Sequence, residues 1–515
     1  MFWRECDATQ ERIYSSFPPG AMFPIYAYDY WWSNQWNPLS FGRNFSLRRP
    51  FFEQFLQLWQ SVPRPAVNML QCSKVGAVNN LFEANECYYV FDSNRAQRVL
   101  YSVAARECII CVDCLHLYQS ELCYECVNCN NCVELLWAEN CSHCTSSFFM
   151  ANCRNCRDCM FCVNLEDAQY CIFNKQVSPE EFQRKVEEYN FSDRRKIEAA
   201  KEKFSEFCQD QPLPHIICDK FSLLSGNYLH QCREIIDSFH CIESSKLIHC
   251  HDLNKAESCL DVCAFGDGVK RCARSVNIGL NAKQLINCLD CWSDVEDLTY
   301  CSNCHNCSHL FGCIGLRDAK FCILNKQYNK NAYFELRGYI DQYLEQSGEA
   351  QEFFPNYFSP YPYNGSLANA FMPLSRVQAK LFNYNWNEDL EGAFKPSDLD
   401  EYRSILGDIP DLLDDFDSNE LAGKIFVCEV LGQPFQIVPE ELEFYRRLKI
   451  APPARCFDQR QRERLLKLAP RQLDFRRSSD ENSKLKTSFH DEWARPVLDY
   501  ESWAEFVSKN SETLK

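Results

Sequence analysis

The cysteine spacing limits what this chain can fold into. Cys108, Cys111, Cys114, Cys123, Cys126, Cys129, Cys132, Cys141, Cys144, Cys153, Cys156, Cys159, Cys162 and Cys171 are separated only by gaps of 3 or 9. Many also recur 18 residues apart, as Cys108 and Cys126 do, and Cys232, Cys241, Cys250 and Cys259 follow at intervals of nine. A helical face repeats every 3.6 residues and a strand face every 2, so a period of 3 fits neither. A fixed short period marks a stacked repeat. The spacing therefore predicts coils of about 18 residues, whose short strands turn corners with inward positions beside each corner. Asparagine precedes cysteine at Asn128, Asn131, Asn140, Asn152, Asn155, Asn287, Asn303 and Asn306. Asparagine tolerates left-handed backbone and bonds its own chain. Stacked asparagines can thus stand in at corners for glycine, of which the chain has only 16.

The repeat is duplicated. ANCRNCRDCMFCVNLEDAQYCIFNKQ at 151–176 matches SNCHNCSHLFGCIGLRDAKFCILNKQ at 302–327, pairing Cys153, Cys156, Cys162 and Cys171 with Cys304, Cys307, Cys313 and Cys322. Each copy precedes a helical pattern, starting at Ser178-Pro179 with Glu181 in one and at Asn329 in the other. Such helices would cap the open ends of the stacks. Cys159 aligns with Leu310 and Cys301 with Met150. A thiol that exchanges with an aliphatic side chain behaves as a small core residue.

Three readings of the cysteines stand: stacked core thiols, zinc ligands, and an iron–sulfur or disulfide framework. C-x2-C is a common zinc half-site. Candidate ligands are Cys123, Cys126, Cys141, Cys144, Cys153, Cys156, Cys162, Cys171, Cys288, Cys291, Cys304, Cys307, Cys313 and Cys322. None of the runs has the spacing of a bacterial cluster motif ending in Cys-Pro. His143, His215, His240, His249, His251 and His305, beside or near cysteines, are further candidates, although a lone histidine is more often surface or core.

A net charge of −17 argues against broad binding to nucleic acid or anionic membrane. No stretch of 18 apolar residues and no basic-then-apolar leader is present, so a cytoplasmic, reduced protein is expected. Within the acidic total, residues 441–480 hold eleven Lys and Arg against six Asp and Glu. Arg446, Arg447, Arg455, Arg460, Arg462, Arg464 and Lys467 form a basic cluster, read either as a phosphate-contacting helix or as a solvated face bridged to acidic neighbours. Near the N-terminus, Pro50 to Ser61 reads as a short aromatic helix.

WWSNQWNPLSFGRNFSLRRPFFEQF, LFGCIGLRDAKFCILNKQY, FFPNYFSPYPYNGSLANAFMPLS and PEELEFYRRLKIAPPARCFDQRQRER resemble an uncharacterised cysteine-rich repeat family of ultra-small candidate-phylum bacteria, flanked by zinc ribbons. The resemblance spans almost the whole chain and implies a ribbon at each end of the repeat body. Some members carry a family III CoA-transferase label, but the alternating strand–helix pattern of such an enzyme is absent here. Both ribbons depart from the pattern. Ala27 and Tyr30 stand where the family has one C-x2-C. Phe457, Asp458 and Gln459 follow Cys456 where it has C-P-x-C-R. Cys6 and Cys428 face Thr9 and Leu431 instead of second cysteines. The resemblance also implies that the chain begins part-way through the first ribbon.

The expected fold is mainly β with helices: two duplicated Cys-ladder β-solenoid lobes, each followed by a helical cap, plus a small degenerate zinc-ribbon-like α+β module near the C-terminus. The expected units are a degenerate ribbon and aromatic helix at 1–71, the first lobe at 72–177, a helical cap at 178–212, the second lobe at 213–328 and its cap at 329–347. An irregular segment at 348–423, the ribbon-like module at 424–480 and a tail at 481–515 complete the chain. No catalytic constellation stands out. The first functional reading is a non-enzymatic binding or scaffold protein with a protein partner, possible structural zinc and no membrane association. The second is a zinc-dependent nucleic-acid-associated protein using the basic helix.

Overall fold

The computed structural model describes residues 1–515 except 106–107, 118–119, 130–131, 220–222, 254, 261–295, 351–352, 367, 370–371, 391–398, 400–401, 417–422, 481–482, 492 and 515. Strands and helices are mixed along the described residues, nine of the elements are α-helices, and no sheet among them closes into a barrel.

The strands between residues 69 and 172 pair in parallel at a register of twelve: Leu81 with Ser93, Cys111 with Cys123, Leu136 with Phe148, Cys159 with Cys171. The second copy keeps the interval, with Leu229 opposite Cys241, Leu247 opposite Cys259 and Leu310 opposite Cys322. The repeat is thus twelve residues, and the expected 18 is corrected. Eighteen recurs in the sequence because it is a multiple of the three-residue inward period, without being a turn of the chain.

The backbone explains the three. From Gln71 to Phe173 a left-handed φ recurs at nearly every third residue, at Asn128, Asn140 and Asn152 as expected, but also at Tyr89, Trp137 and Phe149. Asn131 and Asn287 lie outside the described residues. Each left-handed residue turns the chain, and the next side chain points inward. Cys123, Cys126, Cys129, Cys132, Leu135, Ala138, Cys141 and Cys144 follow one another into a single core. The second copy buries Leu298, Cys301, Cys304, Cys307, Leu310 and Cys313 the same way. Cys159, Leu310, Cys301 and Met150, the interchanging pairs, are all core residues.

Inward cysteine has a further fit. Its thiol donates to the carbonyls two residues back and nine ahead, as Cys153 does to Ala151 (3.3 Å) and Cys162 (3.5 Å). Serine fills the same slot: Ser102 donates to Leu100 O at 2.9 Å and accepts from Cys114 N at 3.0 Å. A small side chain with a weak donor therefore satisfies carbonyls that an aliphatic residue leaves to the backbone alone.

Each copy ends in an antiparallel turn with two left-handed residues, Phe173-Asn174 and Leu324-Asn325. Helices follow. Pro179–Tyr189 is capped by Ser178, which accepts from Glu181 N, and Lys330–Ser347 by Asn329, which accepts from Ala332 N. A second helix, Arg194–Gln209, lies along the side of the first lobe, where Phe204 meets Phe149 and Phe161. The aromatic helix forms at Phe51–Ser61 and packs on the second lobe through Tyr300 and Phe311. Cys6 Sγ accepts from Thr9 N and Ala27 N, and Cys428 Sγ from Leu431 N, so each end module keeps one sulfur bonded to its own turn.

Two segments carry more structure than expected. The 348–423 segment includes short 3-10 turns and a helix at Arg376–Leu381. The 481–515 stretch, read as a tail, holds the strand Lys484–Thr487, the strand Val497–Leu498 paired with Leu213–Pro214, and the helix Tyr500–Glu512. Trp503 Nε1 donates to Asn164 and Ser511 Oγ accepts from Glu166 N, which ties that helix to the first lobe.

His305 of the second lobe lies against Trp31 and Trp32 of the N-terminal module, with ring centroids 5.8 and 4.7 Å apart. Burial first, and the neighbouring Arg317 second, bring its pKa down from the ordinary 6.5 to about 4. The unfolded chain therefore takes up this proton near pH 6.5 while the fold refuses it until near pH 4. Stability is complete above 6.5 and declines as pH falls toward 4. Urea unfolding at pH 7 and pH 5 should show His305→Phe flattening this decline by roughly 1–2 kcal/mol. An unchanged pH slope in the variant would count against this assignment.

Candidate metal centre between the two lobes

Twelve-residue register turns left-handed positions into columns. On the first lobe Asn128, Asn140, Asn152 and Asn164 form one, each amide donating to the next at 2.9, 3.2 and 3.3 Å. One turn earlier this column holds His116, also left-handed. On the second lobe Tyr228, His240 and Asp252 form a column of their own, left-handed at all three. The columns face each other. The His240 ring lies between Tyr228 (centroids 4.4 Å, 14°) and His116 (4.1 Å, 17°).

Among the described residues, His116, His240 and Asp252 are the one group of three or more potential metal ligands whose donor atoms all lie within 4.8 Å of one another. Three points so spaced share a centre within ~2.8 Å of each, and because an imidazole binds through a lone pair in its own ring plane, the nearly parallel His116 and His240 rings must tilt out of their stack to share an ion. The donor set suits a borderline divalent ion. His240 is 5% exposed, and neither ring nitrogen has a hydrogen-bond partner. An unsatisfied buried imidazole costs about 1–3 kcal/mol, which a metal bond would offset. Burial, with His116 and Arg471 nearby, holds the His240 pKa well below the ordinary value, so its nitrogens are neutral donors at pH 7. Burial opposes ionisation of Asp252, but Arg471 and His116 together draw its pKa down. Arg471 reaches both carboxylate oxygens, at 2.6 and 2.9 Å, and would orient the group for an ion on one of them.

The sequence-predicted ligands lie elsewhere. Cys123, Cys126, Cys141, Cys144, Cys153, Cys156, Cys162 and Cys171 share the core of the first lobe, and Cys304, Cys307, Cys313 and Cys322 that of the second. Cys288 and Cys291 lie outside the described residues. The described cysteines are thiols, none in a disulfide. Burial pushes Cys111, Cys126, Cys132 and Cys153 well up and Cys322 up to about 12. Between them, burial also opposes ionisation of Cys141, yet the neighbouring Cys144 and Cys153 thiols draw it down to about 5. Of the lone histidines, His240 joins the inter-lobe group, His251 stacks on Phe239, and His305 meets the tryptophans. His116 follows leucine rather than cysteine, and only the twelve-residue period from Asn128 would have singled it out.

The basic cluster divides. Arg460 and Arg464 are 5% and 3% exposed and both donate to the fully buried Asp113 of the first lobe, Arg464 at 2.9 Å. Arg455 meets Glu198, Glu429 and Glu463 at 3.0, 2.7 and 3.1 Å, and Lys467 meets Glu139 at 3.0 Å. Arg446 donates to Phe416 O. Arg446, Arg447 and Arg462 are at the surface. Asp113 belongs to another column, Tyr101, Asp113, Glu125, Trp137, Phe149, Phe161 and Phe173, whose rings stack at 4.6–4.9 Å from Trp137 onward. Where this column is acidic, Asp113 takes Arg460 and Arg464 of the C-terminal module and Glu125 takes Lys201 of the helix Arg194–Gln209, and where it is aromatic it packs on that helix.

The chain matches no protein-family model, no curated protein and no solved structure. No helix among the described residues is long and apolar enough to cross a membrane.

Asp113→Ala leaves the buried Arg464 without a carboxylate and Arg460 with Glu441 alone. It should cost about 3–5 kcal/mol in urea unfolding, whereas Arg462→Ala at the surface should cost under about 0.5 kcal/mol. Equal costs would show that Arg460 and Arg464 are not held by Asp113.

Proposed function

We propose that this chain is a non-enzymatic binding or scaffold protein. Its two cysteine-lined lobes are read as β-solenoids of twelve-residue turns, clamped by a structural divalent ion, zinc, on His116, His240 and Asp252. The observation that carries this reading is the constant register. Rows of side chains twelve residues apart make straight, evenly spaced columns on the outside of each lobe, which is how repeat proteins present a recognition surface. Ile236 and Ile248 pair in register on the second lobe, and both are exposed, at 50% and 38%. An outward aliphatic row of this kind favours a protein partner over a nucleic acid. The nucleic-acid reading keeps only Arg446, Arg447 and Arg462 as surface cations, since the rest of the cluster is engaged by carboxylates. The cysteines serve in this reading as packing thiols, and the resemblance to a ribbon-flanked cysteine-rich family is compatible with it.

Three measurements test it. Zinc loading followed by chelation should lower the melting temperature of the wild type but not of His240→Phe, which keeps the ring stack and removes the donor. Cobalt(II) bound there should show ligand-field bands without thiolate charge transfer. A strong charge-transfer band, or equal zinc content in both proteins, would move the ion to the cysteines. For the scaffold role, the partners retained by the immobilised full chain should be lost with Ile236→Asp/Ile248→Asp while its melting temperature is kept. An unchanged set of partners would count against this face.

A further inference from the structure

A second, independent feature lies on the other side of the first lobe. A cavity of about 410 Å³ opens between the strand Glu134–Glu139, the helix Arg194–Gln209 and the C-terminal module. Its size is within the range of small-molecule sites. Trp137 and Phe204 form an apolar wall, and Glu125, Glu139, Lys201, Lys467 and Arg495 bring charge into it.

Most of these charges are paired. Lys201 meets Glu125 at 3.0 Å and Lys467 meets Glu139 at 3.0 Å. Burial opposes ionisation of Glu125, but Lys201 and Lys467 hold its pKa down to about 2, so it is an anion. Arg460 and Arg464, also at the cavity, are engaged by Asp113. Arg495 differs. Its Nε donates to Gln211 O at 3.1 Å, but its Nη2 is buried with no hydrogen-bond partner, and no carboxylate among the described residues pairs with it. Burial lowers its pKa, with only Cys208 and Glu139 acting at longer range against that. A guanidinium cannot discharge itself at neutral pH, so a half-buried one such as Arg495 gains from a counter-ion.

We propose that this cavity binds a small organic monocarboxylate. Arg495, which lines the cavity, takes the carboxylate, and the apolar body of the ligand lies against Phe204 and Trp137. Glu198, Glu429 and Glu463 also line the cavity, all three on Arg455, so its surroundings carry no surplus of positive charge, and Arg495 is the one lining cation without a carboxylate among the described residues. A phosphate dianion would leave a buried excess of negative charge. The planar fork of arginine also matches a carboxylate in shape.

The test uses the full chain in a carboxylate-free buffer, with benzoate as the probe, benzamide as its neutral isostere, and inorganic phosphate. Benzoate should raise the melting temperature of the wild type in a saturable way, benzamide should not, and phosphate should do so less. Arg495→Gln, which keeps a donor and removes the charge, should melt no lower than the wild type without ligand. Its benzoate affinity should fall by about tenfold or more. The proposal is overturned if benzoate and benzamide act alike, if benzoate gives no shift, or if Arg495→Gln binds benzoate as the wild type does. If that variant does not fold, calorimetric titration of the wild type with benzoate against benzamide decides alone. The metal reading predicts no change in either arm, so the two proposals fail separately.

Discussion

The left-handed residue at every third position is the constraint on which the rest of this molecule depends. For a residue other than glycine it costs roughly 1 kcal/mol, and here it is met repeatedly by Asn, Asp, Tyr, Phe and Trp. What sustains it is register. Each turn pairs with the next at a register of twelve, its amides reaching carbonyls thirteen residues back, as Asn128 N to Leu115 O, Asn140 N to Val127 O and Asn152 N to Glu139 O show at 2.8, 3.0 and 2.9 Å. The strain and the ladder are therefore one structure. The inward residue after each corner must be small enough to share a narrow core and able to serve nearby carbonyls, and cysteine does both.

The same register decides what the outside can do. A column repeats one chemistry along the lobe, so a change of residue type within it becomes a docking point. Asparagine gives way to His116, and the second lobe meets the first there. Aromatic rings give way to Asp113 and Glu125, and the C-terminal module and a lysine of the flanking helix dock there. The two proposed ligand sites, the inter-lobe donors and the Arg495 cavity, both lie beside such breaks. Repetition builds the frame, and departures from repetition build the sites.

Much of this was legible in the residues. The period of three, the duplication, the core role of interchangeable cysteines, the asparagine corners and the capped helices at Ser178 and Asn329 all follow from local chemistry. The turn length did not, because Leu135, Ala138, Ser147 and Met150 fill inward slots that a count of cysteines skips. Once serine, alanine and leucine are counted with cysteine, the inward row is continuous and only pairing between turns can fix twelve. The ordered C-terminal helix was illegible for another reason: its sequence is short and polar, and it is held by Asn164 and Glu166 of a distant lobe. His116 and Arg495 carry no local motif, and their significance lies wholly in what faces them.

The most direct test of the twelve-residue turn is a pair of double-mutant cycles. Asn140 and Asn152, twelve apart and hydrogen-bonded at 3.2 Å, should couple by about 0.5–1 kcal/mol when each is replaced by alanine singly and together. Asn140 and Asp158, eighteen apart, should be additive. Coupling of the second pair without the first would contradict the register, and with it the columns and the inter-lobe site derived from them.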